Sequence, residues 1–306
     1  MHRNTIRAWI RAAEGKGRPG LLSGAVVWNR IDDAVRWAAH ELRRLCPEPE
    51  FGTRSIARQV VRASIQISRS TVQRVLRGAK PPRPSRPARP AMALPVGKKA
   101  YHLLRPKWIN RVWHIDLLSV QVLWLRFSVA VILDGFSRRL LCLRVYSRTP
   151  RARDMAALVR RVAKQFGRPR FVITDHGTQF RRQFRAAMKM TGIIPVQGRV
   201  RAPYLNGKLE RAFRTFRVWW RLVLTGQTQR GIQRRLDQFG AWFNKHRMHS
   251  ALHGRTPQEA WEGRVLPEPI PIRARDQLQP QIDVCRRHYR GDPRLPVIEI
   301  SVKLVA

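Results

Sequence analysis

Val112-Trp-His-Ile-Asp-Leu-Leu118 sets an aspartate, Asp116, inside an apolar, aromatic run with strand character. Asp is disfavoured in strands, so a half-buried carboxylate there needs a cation, a metal or good hydrogen bonds, unless it faces solvent at a strand edge. The strand pattern runs on to Val122, then over Leu123 to Leu133 and Leu140 to Tyr146. Asp134-Gly-Phe-Ser137 parts the last two and reads as a hairpin turn. A helix over Ala152 to Phe166, a strand over Phe171 to Thr174, a helix over Gln179 to Met190 and a short strand over Ile193 to Val196 follow. Helices over Pro203 to Leu222 and Arg230 to Lys245 complete the segment. Three antiparallel strands, then alternating helix and strand, predict an α/β fold with a mixed sheet.

Carboxylates are scarce in this chain. It has 61 Lys and Arg against 19 Asp and Glu, a formal net charge of +42. Such a balance suits a polyanion, and nucleic acid is the obvious one. A GC-rich coding bias enriches Arg without function, but rarely leaves so little acid beside it. With 306 residues and 43% apolar content, the chain has room for two or three domains with real cores. It has no apolar run long enough to span a membrane, and Met1 to Ile10 lacks the apolar centre of a secretory signal. Cys46, Cys142 and Cys285 are too scattered for a disulfide framework or a metal knuckle, which fits a reducing cytosol.

Residues 1–78 read as helical and DNA-binding. Thr5 to Ala13 carries Ile6, Trp9 and Ile10 on one face, and helices over Asp32 to Leu45 and Thr53 to Ala63 follow. In Ile67-Ser-Arg-Ser-Thr-Val-Gln-Arg-Val-Leu76, Ser68 is a good N-cap and Ile67 can staple to Val72. Arg69, Ser70, Gln73 and Arg74 then face outward, as the second helix of a helix-turn-helix over about 32–78 requires for base edges and phosphates. A helical bundle with a solvated basic face is the plainer alternative. Residues 79–107 form a Pro- and Arg-rich linker, and residues 263–306 a small β-rich module or a tail.

Two further carboxylates join Asp116. Asp175 follows the strand Phe171 to Thr174, where ligand chemistry gathers in open α/β sheets, although Asp175-His-Gly177 suits a simple turn equally. Glu210 stands at the margin of the stripe Leu209, Phe213, Phe216 and Trp220. An ordinary pair with Arg214 would also explain it.

Trp113-His-Ile-Asp116, Asp134-Gly-Phe-Ser-Arg138, Thr174-Asp-His-Gly-Thr-Gln-Phe180 and Asn206-Gly-Lys-Leu-Glu-Arg211 occur in that order. Together they resemble the catalytic core of retroviral-type integrases and bacterial insertion-sequence transposases, over residues 108–262. Phe243-Asn-Lys-His-Arg-Met-His-Ser-Ala-Leu252 with Thr256-Pro257 looks like the stretch that follows that core in the transposases. The resemblance implies a ribonuclease H-like fold and Asp116, Asp175 and Glu210 as catalytic ligands of Mg²⁺, with Mn²⁺ as a substitute. Two such ions about 4 Å apart would serve hydrolysis and strand transfer. It also implies terminal inverted repeats and target DNA as substrates, a homo-oligomer on DNA, and a bacterial, nucleoid-associated location in the cytoplasm. Lys208, Arg211 and Arg214 become phosphate-gripping candidates. His176 departs from the family pattern, where Asn is common. Thr5 to Ala13 looks like the recognition helix of a partial first helix-turn-helix. The competing expectation is a sequence-specific DNA-binding protein without catalysis. His246, His249 and His253 lack Cys partners, which sets a zinc site aside.

Overall fold

A computed structural model describes residues 31–47, 51–77, 106–122, 125–197, 212–217, 228–270, 272 and 279–305. In chain order its elements begin with α1 (Asp33–Leu45), α2 (Thr53–Arg62), α3 (Arg69–Arg77), β1 (Val112–Val122), β2 (Leu125–Asp134) and β3 (Leu140–Tyr146). They continue with α4 (Ala152–Phe166), β4 (Phe171–Thr174), α5 (Arg182–Met190), β5 (Ile194–Gln197), α6 (Gln229–Lys245), α7 (Pro257–Trp261), β6 (Gln279–His288) and β7 (Pro296–Val305). Residues 212–217 are also helical. Thr5 to Ala13, most of the linker, Lys208, Glu210 and Arg211 lie outside the described residues.

The chain divides into two compact units. One comprises Met1–Pro82, Pro267–Arg286 and Ile298–Ala306, the other Arg83–Leu266 and Arg287–Val297.

In the second unit five strands form one sheet in the order β3-β2-β1-β4-β5. β1, β2 and β3 pair antiparallel, while β4 pairs parallel with both β1 and β5. Side chains alternate along β2 as a sheet buried on both faces requires. Phe127, Val129, Val131 and Leu133 join α6 residues such as Leu236, Phe239 and Phe243, together with Phe213 and Phe216, on one face. Ala130 and Ile132 join α4 and α5 on the other, through Met155, Val159, Phe184 and Met188. Each large apolar side chain so buried contributes about 1.5–3 kcal/mol. This is the mixed-sheet, ribonuclease H-like core expected from the sequence. Strand β3 is a sheet edge, and α6 satisfies its free backbone. Asn244 accepts from the Leu140 N–H and donates to the Leu140 carbonyl, both at 2.9 Å. Gln233 accepts from the Val145 N–H at 3.0 Å and donates to the Leu143 carbonyl at 2.8 Å. Side-chain amides thus stand in for a missing strand and block edge pairing.

In the first unit α1, α2 and α3 bury Val35, Leu42, Ile56, Val60 and Val72 in one core. Ser68 Oγ accepts the Thr71 N–H at 3.1 Å, the expected cap, and Ile67 shares the core with Val72. Ile282 enters the same core, with Val284, Ile298, Ile300 and Val302 packed against it. Ile270 pairs with the turn before α3: its N–H donates to the Ser64 carbonyl at 2.7 Å, and its carbonyl accepts from Gln66 at 2.8 Å. The C-terminal segment therefore holds a two-stranded sheet, β6 with β7, whose apolar residues here help to build the helical unit's core. In the other unit Leu295 is fully buried, and the Pro296 carbonyl accepts from Trp242 Nε1 at 2.9 Å.

Candidate active site

Asp116 stands in mid-β1, where the sheet changes character. On one side β1 pairs with β2 along its length, through Asp116 and beyond. On the other its parallel ladder with β4 ends at the pair His114 and Ile173. Asp116 and Asp175 each follow that last pair by two residues, Asp116 within β1 and Asp175 just past the end of β4.

Alternation also fixes the face. Trp113 and Ile115 enter the core under α4 and α5, so Asp116 belongs with Leu118 and Val120 on the opposite face. Val172 enters the α4 and α5 core as well, which sets Ile173, two residues before Asp175, on the Asp116 side. That is the face on which Ala212, Phe213 and Phe216 are buried, the helical residues that follow Glu210 in the chain.

Both aspartates are half-buried. Asp116 Oδ1 accepts the Leu117 N–H at 2.8 Å. Asp175 Oδ1 accepts the Gly177 N–H at 3.1 Å, so the turn reading of Asp175-His-Gly177 and the strand-end reading hold together. This turn also divides the helix expected over Gln179 to Met190. A 3-10 turn spans Thr178–Phe180, Arg181 is extended, and α5 begins only at Arg182. His176 is exposed beside it. Hard, half-buried carboxylate oxygens fit Mg²⁺, which takes one or two protein carboxylates and completes its shell with water and phosphate oxygen. Among the described residues no three His, Cys, Asp or Glu side chains gather as a metal site.

Asp134 is a turn residue. It is fully buried, and Oδ2 accepts from the Ser137 N–H and Oγ, both at 2.8 Å, and from the Phe136 N–H at 3.1 Å. Oδ1 accepts from the Asn110 N–H at 3.0 Å. Burial pushes this carboxyl above its ordinary range, while the hydrogen bonds from Ser137, Asn110 and Phe136 pull it down. Gly135 follows because its N–H meets the Val112 carbonyl at 2.8 Å, and a Cβ there would lie 2.9 Å from that oxygen.

Arg69, Ser70 and Arg74 are exposed on α3 and Gln73 is half-buried, while Arg214 is exposed in the other unit. His246 packs on Tyr289 and His249 on Phe243. An open groove of about 660 Å³, which none of the sequence motifs marks, is lined by His176, Arg181, Arg182, Arg185, Lys189 and Gln197. Its signal was the row Arg181, Arg185 and Lys189, at helical spacing.

The integrase core domain family matches residues 108–203, and a second family of the same description matches residues 191–257. No curated protein matches the chain. Among solved structures it is similar to the HTLV-2 integrase catalytic core domain in complex with magnesium (dimeric form). That match has 15% identity and a TM-score of 0.42, over 51% of this chain and 99% of the other. It is similar to the BIV integrase catalytic core domain at 18% identity and TM-score 0.40, over 50% and 95%. A simian T-cell lymphotropic virus intasome, in complex with the PP2A regulatory subunit B56 gamma, matches at 15% identity and TM-score 0.41, over 76% and 75%.

Proposed function

Since residues 108–257 carry an integrase core domain, we propose that the protein is a DNA transposase that cleaves element ends and joins them to target DNA. What supports this reading is that Asp116 and Asp175, within the segment that matches the integrase core domain, each follow the last β1–β4 pair by two residues. Glu210, just before the helical residues packed on the Asp116 face of the sheet, completes the set.

Asp116, Asp175 and Glu210 would hold Mg²⁺, or Mn²⁺ in its place. When bound, the metal supplies Lewis-acid stabilisation of charge on the phosphoryl and leaving oxygens. The half-buried carboxylates fix where the scissile phosphate sits, and the excess Arg and Lys hold the flanking backbone. In the first reaction a water oxygen attacks phosphorus at the element end, and the 3′ oxygen leaves as a hydroxyl. In the second that 3′-OH attacks a target phosphodiester, whose own 3′ oxygen leaves. Each step forms one P–O bond and breaks one. Arg69, Ser70, Gln73 and Arg74 would read the terminal repeats, with Lys208, Arg211 and Arg214 on phosphates beside Glu210. Two ends must be handled together, so the acting species is a homo-oligomer on DNA.

The test is a strand-transfer assay with cognate ends, target duplex and Mg²⁺. Joined products support the reading. End binding with neither cutting nor joining would identify a DNA-binding protein, and cutting without joining a nuclease.

A further inference from the structure

We infer that the groove along α5 is a binding site for the phosphate backbone of duplex DNA, placed to steer the duplex past Asp175. This inference rests on the reading of the core as a DNA-processing site.

Helix α5 is Arg182-Gln-Phe-Arg-Ala-Ala-Met-Lys-Met190, nine residues with no acid in its first turn or elsewhere. Phe184 and Met188 are buried against the sheet, and Arg181, Arg182, Arg185 and Lys189 are exposed on the other side. Arg181, Arg185 and Lys189 repeat every four residues, so their Cα atoms stand about 6 Å apart along the axis.

This arrangement works against the helix itself. Like charges at i,i+4 destabilise by about 0.2–0.5 kcal/mol a pair. Arg181 and Arg182 also occupy the N-terminal end, where the helix dipole favours anions. Among the described residues no carboxylate forms an ion pair with any of the four cations. Arg185 instead reaches Gln197 Oε1 on β5 at 3.5 Å.

An anion offsets all of these costs at once, since it neutralises the row and meets the first free N–H groups of the helix. The row covers about 12 Å, a length over which one DNA strand presents three or four phosphates. A single small anion would leave most of it unneutralised, whereas a duplex backbone matches its length. His176, adjoining Asp175 in the chain, lines the same groove, so a backbone lying there leads toward the aspartates.

The test uses the full chain and the triple variant Arg181→Gln/Arg185→Gln/Lys189→Gln. The slope of log K against log salt is measured with a cognate end duplex and with an unrelated duplex. Each phosphate neutralised contributes about 0.9 to that slope, so the variant should lose about 2–3 in magnitude. A loss with the end duplex alone, the unrelated duplex alone, or both supports the site and names which DNA it holds. The conservative pair Arg181→Lys/Arg185→Lys should keep the slope, which separates charge from folding. A control variant, Arg153→Gln/Arg160→Gln/Lys164→Gln on α4, removes equal charge elsewhere. An unchanged slope in the α5 variant, or an equal loss in the α4 control, overturns the assignment. If the native chain neither cuts nor joins DNA with Mg²⁺ while the α5 slope still falls, the transposase reading fails and the groove stands.

Discussion

His114 of β1 pairs with Ile173 of β4 in the last rung of the parallel ladder, two residues before Asp116 in β1 and two before Asp175, just past the end of β4. Beyond this rung β1 continues with β2 alone among the described strands, and β4 ends. An opening beside a strand end is where open α/β sheets place their ligands. Asp116 is therefore positioned by its backbone pairing with Val131 of β2, and Asp175 by the turn that follows β4.

Asp134 gives a pH signature of its own. Burial raises its folded pKa above the ordinary aspartate value. The folded chain then holds that proton more tightly than the unfolded chain. Stability from this group is fullest below the ordinary value and declines as pH rises through the raised one. Urea unfolding of the native chain and Asp134→Asn, from about pH 4 to 7, should show the variant without that decline. At pH 7 the variant should lose about 2–3 kcal/mol, because an amide cannot accept all four hydrogen bonds.

Asn244 is expected to act as a clamp on the sheet edge. Asn244→Ala leaves the Leu140 N–H and carbonyl without the partners they have now. A cost of about 1–3 kcal/mol should appear as a lower urea midpoint with an unchanged slope.

Ile282 tests how the C-terminal segment serves the helical unit. It is 5% exposed within the α1–α3 core. Ile282→Ala should cost about 2–4 kcal/mol and weaken binding to cognate ends at elevated temperature. Leu236→Ala, in the other unit, should leave the thermal profile of end binding closer to native.

On α3, Arg74→Ala should weaken binding to all duplexes and lower the salt slope by about 1. Gln73→Ala should instead cost about 1–3 kcal/mol at one base pair of the cognate end, read by competition with single-base variants. Equal effects of the two substitutions on every sequence would argue for a solvated basic face.

Local patterns made much of this legible. Strands β1 to β3 declared themselves as β-branched or apolar runs, and the Asp134 turn by its residues. Ser68 and Ile67 announced the start of α3. Contacts distant in sequence left no such trace. The pairing of Ile270 with Ser64 spans most of the chain, and neither residue has a local partner pattern that reveals it. Asn244 looks like any polar helix residue until β3 lies beside it. The α5 row was visible, but a chain with 61 basic residues hides one row among many. Of the three carboxylates, Asp116 lies in β1 and Asp175 just past β4, and the parallel pairing of those two strands is something sequence spacing alone does not encode.

The decisive measurement is end cleavage and joining by purified Asp116→Asn and Asp175→Asn, each with Mg²⁺, cognate end duplex and target duplex, beside an end-binding titration. Each single substitution should abolish both reactions while end affinity stays within about twofold of native, a change of under ~0.5 kcal/mol. Joined product from either variant at the native rate would contradict the assignment of these two carboxylates to the reaction.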